Sequence, residues 1–334
     1  MNRTSSIIGK KFIQYALVLF VAITINFVLP RFAPGDPLLF FFDEGTLREL
    51  SEEQKQSVLE SVGLGGSLWE QYINYISGIF TWDLGTSIKH AQPVVQMIGE
   101  RLPWTLVLIG PAMILSTIIG VMLGAYSAWN RRKGRDITFL TTMLTFQAVP
   151  GFWIGMLFIA IFAVQLRWFP TYGAVSIVQD GTTIGFIKDV VWHLILPIMT
   201  LSIATVGSNY LLTRSSMLES LGQDYISMAE AKGVHKRTLI FNHGLRNALL
   251  PIYTHFTMTL GTLIGGSVVV ETVFSYPGIG RLLYESVVAR DFPMMQGVFL
   301  MITIGVIAAN ILADITYPLI DPRAKSTKLT KVGQ

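Results

Sequence analysis

Cysteine is absent from all 334 residues, which excludes disulfide staples and thiolate metal centres. Charge is scarce as well: Asp, Glu, Lys and Arg make up 14% of the chain, against roughly 25% in an ordinary soluble domain. There is no G-x-x-x-x-G-K-[ST] run, so no loop of backbone N–H groups with a lysine is offered to nucleotide phosphates. There is no His-Glu-x-x-His zinc pattern and no Gly-x-Ser-x-Gly nucleophile turn. The histidines, His90, His193, His235, His243 and His255, are scattered. No Thr-Val-Gly-Tyr-Gly filter points to a channel. Internal repeats and low-complexity tracts are missing too. These absences predict a chain that is not an enzyme, with no catalytic residue, no bound cofactor and no metal. The net charge of +4 is modest and calls for no nucleic-acid partner.

What is present is apolar. Hydrophobic residues reach 51% and the mean hydropathy is +0.53, which predicts an all-α integral membrane protein embedded in lipid. The first apolar run, Phe12 to Pro30, is about 19 residues long, beyond the 7–15 of a signal-peptide core, and reads as transmembrane helix 1. Residues 32–100 are polar and mixed, and read as an extracytoplasmic cap between helices 1 and 2. That cap opens on Ala33-Pro34-Gly35-Asp36-Pro37, which cannot continue a helix. It carries the aromatic run Phe40-Phe41-Phe42. Two short helices are predicted within it. One is Ser51 to Ser61, with Ser51 as N-cap and Gln54 at the capping-box position, and the other is Trp69 to Phe80. A turn over Trp82 to Ser87 follows.

The apolar core, 101–320, is predicted to hold five more spans. Helix 2 runs from Pro103 to Ala128, with Trp104 and Trp129 as interfacial aromatics. After the basic loop Asn130 to Asp136, Ile137 to Leu166 contains no ionisable residue. Its roughly 30 residues would reach about 45 Å, so Pro150-Gly151 is expected to kink or tilt it across a core of about 30 Å. An outer loop, Arg167 to Val191, leads to helix 4, Trp192 to Met217. Helix 5 is Ile252 to Val270, with Gly261, Gly265 and Gly266 as small packing residues. A second outer loop spans Glu271 to Asp291. Helix 6 is Phe292 to Ile315, and a basic tail occupies 321–334. Sixteen of the 25 Lys and Arg residues fall on the segments placed inside when the N-terminus is cytoplasmic. The positive-inside rule and an even helix count therefore agree on cytoplasmic termini, 1–31 holding the N-tail and helix 1.

Polar residues inside apolar runs are functional candidates by default. They are Asn209, Arg214, His255, Glu271, Asn310 and Asp314, of which Asn209, Asn310 and Asp314 are the candidates for lining or gating a pathway. Asn209 and Asn310 also suit helix-packing hydrogen bonds. Arg214 and Glu271 are expected near the interfaces, snorkelling or solvated. Asp314 would suit proton coupling, but the chain of buried acids that a proton-driven pump uses is missing.

One polar, basic segment interrupts the apolar pattern, Tyr225 to Pro251, within a cytoplasmic loop over 218–251. Small residues, Lys and Glu favour helix up to Gly233, and glycine terminates it. Ala229, Glu230, Ala231, Lys232, Gly233, Leu245, Arg246 and Asn247 are the segment's candidate coupling residues, a role that a family resemblance, and not the composition, implies. Lys232, Lys236, Arg237 and Arg246 suit acidic protein surface, and topology alone also explains basic residues there.

These residues carry a family resemblance. Ala33-Pro34-Gly35-Asp36-Pro37, Gln71-Tyr72, Asp83 to Ser87, Pro150-Gly151-Phe152-Trp153, Arg214 to Glu219, Asp224-Tyr225-Ile226, Ala229 to Gly233, His243 to Ala248, Glu271, Phe274, Tyr276 to Gly280 and Asp291-Phe292-Pro293 occur in order along nearly the whole chain. Together they resemble the membrane subunit of the oligopeptide/dipeptide class of ABC importers. Ser227, Met228 and Ala229 stand where the general importer loop has Glu-Ala-Ala. His243, Leu245 and Arg246 stand where it has Ile, Leu and Pro; the peptide class shares much of this departure. The resemblance implies the ABC-importer permease fold in a prokaryotic inner or plasma membrane. It implies a second homologous permease subunit, two ABC ATPase subunits holding ATP and Mg, and an external solute-binding protein. It implies peptides as cargo, with oligosaccharides or nickel and other metal chelates as alternatives on the same machinery. A secondary ion-coupled transporter and a structural scaffold are the competing classes.

Overall fold

Capping and burial decide where the helices begin. The computed structural model describes residues 2–32, 38, 44–61, 64–177 and 181–320; the turn Ala33 to Pro37, the run Phe40 to Phe42 and the tail 321–334 lie outside them. Among the described residues the chain is all-helical apart from an isolated bridge between Thr86 and Pro93. Three helices among the described residues are long and apolar enough to cross a membrane. They are α5 (Val94–Trp129), α8 (Thr183–Leu221) and α14 (Phe292–Ile320). A fourth span arises if α6 (Gly134–Ala148) and the helix after it, α7 (Gly151–Phe158) continued by a π-helical stretch to Gln165, count as one. The first helix, α1 (Asn2–Phe32), carries a shorter apolar stretch, Ile13–Leu29.

The described residues form two compact units. The first comprises 1–105 and 277–307. Here α2 (Glu44–Glu49) is followed by α3 (Glu52–Ser61) and α4 (Leu68–Thr81). The predicted capping box at Ser51 is present: the Gln54 N–H donates to Ser51 Oγ at 3.2 Å, and the Ser51 N–H donates to Gln54 Oε1 at 2.9 Å. A second box, Ser67 with Glu70, starts α4. Arg31 at the end of α1 stacks over Phe27 and donates through Nε and Nη2 to Gln71 of α4, at 3.2 and 2.8 Å. Helix α5 starts nine residues before the sequence-based boundary and runs through Pro103. The physical reason is a stripe: Val94, Met97 and Ile98 bury against Ile279, Leu282, Met294 and Val298. Proline removes one hydrogen bond there, and the buried apolar side chains, each contributing about 1.5–3 kcal/mol, outweigh it. The second outer loop is likewise not a loop throughout. It contains α13 (Ile279–Val288), whose Ile279, Leu282 and Ser286 face the core. Asp291 then caps α14 by accepting the Met294 N–H at 3.2 Å, and also takes the Ser87 hydroxyl.

The second unit comprises 106–276 and 308–334. The expected kink in helix 3 is a near right angle: α6 and the Gly151–Gln165 helix meet at 93°. Pro150 stands extended between them (φ −59°, ψ 134°), and α7 packs against α8. It also packs on α12 (Val268–Val273), because Gly155 lies against Phe274, Thr200 and Val273. Helix α8 begins at Thr183, not Trp192, because Thr182 caps it by accepting the Gly185 N–H at 3.0 Å. Helix 5 is α11 (Arg246–Gly266), which starts before Pro251 and stops short of α12. In this unit Gly120 and Gly124 of α5 seat close against α8. A Cβ on Gly120 would sit 2.6 Å from the Asn209 Cβ, and one on Gly124 2.7 Å from the Thr213 Cβ. Small residues four apart let two backbones approach this closely.

Candidate functional site: a helical elbow and the clasp behind it

After α8, Gly222 ends the long helix and extended Gln223 starts α9 (Asp224–Ala231). This is the short helix read from the sequence. Its end is a Schellman motif. The Gly233 N–H donates to the Glu230 carbonyl at 2.9 Å, and the Val234 N–H donates to the Ala229 carbonyl at 3.2 Å. Gly233 has φ +76°, where a side chain is disfavoured. Next, His235 caps α10 (Lys236–Thr238) through its ring nitrogen, 3.3 Å from the Arg237 N–H. A π-helical stretch, Leu239–Leu245, leads into α11.

The elbow is fixed at its base. Leu239 is buried, and Ile240, Leu245 and Leu221 pack on a core of Ala125, Ala128, Met217, Ala248 and Ile252. The Tyr225 hydroxyl lies 3.0 Å from Ser220 Oγ and accepts from Asn247 Nδ2 at 2.6 Å. One phenol thus ties the end of α8, the start of α9 and the start of α11. Ile226 is the buried residue of α9; Tyr225 and Met228 are 41% and 62% exposed. Of the candidate coupling residues, Ala229 is half-buried, and Glu230, Ala231, Lys232 and Gly233 are exposed on the elbow. Leu245 packs at the base, Arg246 is exposed and Asn247 holds Tyr225.

Behind the elbow lies a polar clasp that the sequence reading missed. Arg214 donates from Nε and Nη2 to the two oxygens of Asp136, at 2.8 and 2.9 Å. Asp136 also accepts from Ser127 Oγ and from the Arg132 N–H, the latter at 3.0 Å, and Ser127 meets the Tyr210 hydroxyl. Arg214 therefore does not snorkel. It is spent on a carboxylate 78 positions away, joining α5, α6 and α8. The one legible signal is that Asp136 is the lone acid in a basic loop. Glu271, read as solvated, is fully buried and accepts from Ser267 Oγ at 2.8 Å. Asn209 is buried in α8 and donates to Ser116 Oγ of α5 at 2.9 Å, a helix-packing bond. Asn310 and Asp314 sit four residues apart on α14, both half-buried.

The described residues combine several apolar spans with a polar helical elbow that follows one of them, α8, which is the build of a membrane component. The profile of the family described as "Binding-protein-dependent transport system inner membrane component" matches residues 120–326, and the chain belongs to that family. It is similar to the oligopeptide transport system permease protein AppB of Bacillus subtilis (strain 168), 36% identical over 95% of this chain and 98% of that one. It is also similar to the dipeptide transport system permease protein DppB of Escherichia coli (strain K12), 36% identical over 92% of this chain and 96% of that one.

Proposed function

We propose that this inner-membrane component is one of two homologous permease subunits of an ATP-driven peptide importer. Two ATPase subunits holding ATP and Mg, and an external solute-binding protein, complete the assembly. The observation that carries the reading is the elbow: a short helix closed by a Schellman turn, exposed at its tip and anchored at its base. Six spans are assigned to α1, α5, α6 with α7, α8, α11 and α14, with both termini cytoplasmic and the segment before α5 outside. The exposed face of α9, with Tyr225, Met228, Ala231 and Lys232, is the surface presented to an ATPase subunit. A push on that face moves α9 as a rigid body, and its ties to α8 and α11 carry the motion to the spans. The 36% identity to oligopeptide and dipeptide permeases supports peptide as the cargo.

Reconstitution of the chain with its companion subunits in proteoliposomes tests this. Uptake of labelled di- and oligopeptides against a gradient is expected only with ATP and all subunits, and the purified chain alone is expected to show no ATPase activity. Uphill uptake without the ATPase subunits would refute the reading in favour of an ion-coupled carrier. Uptake of oligosaccharide or nickel chelate but not peptide would refute the cargo alone.

A further inference from the structure

We propose that the loop joining α5 to α6 and the groove beside it form a site for the headgroup of an anionic phospholipid. The proposal rests on the cytoplasmic placement of this loop given above. Four of the six residues from Asn130 to Arg135 are basic, and Arg131, Arg132, Lys133 and Arg135 are all exposed. The one acid of the loop, Asp136, is buried and already bound to Arg214, Ser127 and the Arg132 N–H. Arg132 takes φ +67° where it makes that last bond, so the loop is held in a left-handed turn that residues with a Cβ rarely adopt. The four cations thus form a concentrated positive patch whose neutralising acid has been withdrawn into the helix packing.

Next to the patch is a concavity of about 530 Å³ lined by Tyr126, Gly134, Arg135, Thr138 and Phe139. Arg135 is aimed along its wall, because Nη1 donates to the Tyr126 hydroxyl at 2.9 Å. Tyr126 is in turn braced edge-on by Phe139, with ring centroids 5.9 Å apart. A guanidinium held by a phenol keeps its remaining donors for a phosphate, which it binds in fork geometry. The surface flanking the groove is apolar and open: Met122 is 67% exposed and Ile137 58%. Charged donors above exposed aliphatic side chains match a ligand that is anionic at one end and acyl at the other. A soluble phosphate satisfies only the first half, and an acidic protein surface has no use for the second. Basic pockets beside spans on the cytoplasmic side are suited to anionic headgroups.

Native mass spectrometry of the full chain in detergent, titrated with phosphatidylglycerol or phosphatidylcholine, is the test. Retention of phosphatidylglycerol over phosphatidylcholine is expected, undisturbed by millimolar inorganic phosphate. Arg135→Gln is expected to weaken it about fivefold, the loss of one interfacial charge, and Tyr126→Phe to weaken it less. Arg237→Gln, on the elbow, is expected to leave it unchanged. Equal retention of both lipids, competition by inorganic phosphate, or an Arg135→Gln variant that binds like the parent would overturn the site. So would a photo-crosslinker at position 135 that captures a companion subunit in place of lipid. Because the chain has no cysteine, Lys133→Cys adds a unique label. Its reaction with an impermeant maleimide from outside intact cells would sink the orientation, whereas labelling from inside only, with no lipid preference, would sink the lipid site alone.

Discussion

Cutting the clasp between Asp136 and Arg214 should cost more from one side than from the other. The Asp136 side chain is 4% exposed and that of Arg214 is 19%. Removing one partner of a buried pair costs about 3–5 kcal/mol, mostly the desolvation of the group left behind. Arg214→Met leaves a carboxylate sealed among Ser127 and the Arg132 N–H, so it should fall at about 4–5 kcal/mol, the upper end of that range. Asp136→Asn leaves a guanidinium with a fifth of its surface in reach of water and an amide oxygen still beside it. That variant should fall at about 3 kcal/mol or below. The double variant should be less damaging than the sum by roughly 1–3 kcal/mol, because neither partner is then stranded. The assay is equilibrium unfolding of the purified chain in mixed micelles, followed by the fluorescence of its seven tryptophans. Additive single variants, with a coupling under about 0.5 kcal/mol, would show that the pair is a surface contact and not a clasp. A larger loss from Asp136→Asn than from Arg214→Met would contradict the burial argument.

Two further outcomes follow from the geometry. Gly233→Val should leave folding and membrane insertion intact, since no atom lies within 4 Å of a Cβ built there, so the cost is the roughly 1–2 kcal/mol of a left-handed residue. Because that strain falls on the turn that ends α9, peptide taken up per ATP hydrolysed should drop, and normal uptake would show that this turn is not part of the lever. Ser67 donates its backbone N–H and its hydroxyl to Glu70, holding that carboxylate below its ordinary 4.5. A depressed acid stabilises in its charged form, so the contribution is complete above pH 4.5 and is lost as pH falls through the lower folded value. Amide protection in α4 should therefore decline below pH 4.5 relative to its neutral-pH value, and a Glu70→Gln variant should show no such step; equal profiles would refute the link.

The short polar elements were legible because their signals are local. Ser51 with Gln54 announces α3, and Gly233 announces the end of α9; each acts within four residues of itself. What escaped depends on partners distant in sequence. Nothing near Val94 reveals that its stripe packs on Met294, so α5 was read as starting at proline. Thr182 caps α8, which starts at Thr183, nine residues before the boundary that Trp192 suggests. Pro150-Gly151 marked a break, but the 93° turn follows from Gly155 seating against Thr200 and Phe274. Arg214 and Asp136 could be paired only once α6 and α8 were side by side. Of the candidate pathway residues, Asn209 is explained by its bond to Ser116, whereas Asn310 and Asp314 share a face of α14 that no nearby motif identifies.

The proposed lever role requires a fulcrum stiffer than its tip, and the interactions in the elbow are distributed that way. At the tip, Glu230, Ala231 and Lys232 are exposed and held by little beyond the Schellman bonds. At the base, the Tyr225 hydroxyl bridges Ser220 and Asn247, and Leu239 and Met217 are buried. Further along α8, the Arg214 clasp and the contacts of Gly120 and Gly124 lock it to α5. A bidentate ion pair tolerates little sliding, and two glycine-mediated backbone approaches tolerate less, so α8 cannot yield separately from α5 and α6. Loosening the base should therefore mimic loosening the tip. On the proposed lever role, Tyr225→Phe, which keeps the ring and removes both hydrogen bonds, should lower peptide taken up per ATP hydrolysed by the assembly as Gly233→Val does, although the two residues contact different parts of the elbow; unchanged coupling in the same proteoliposome assay would refute it.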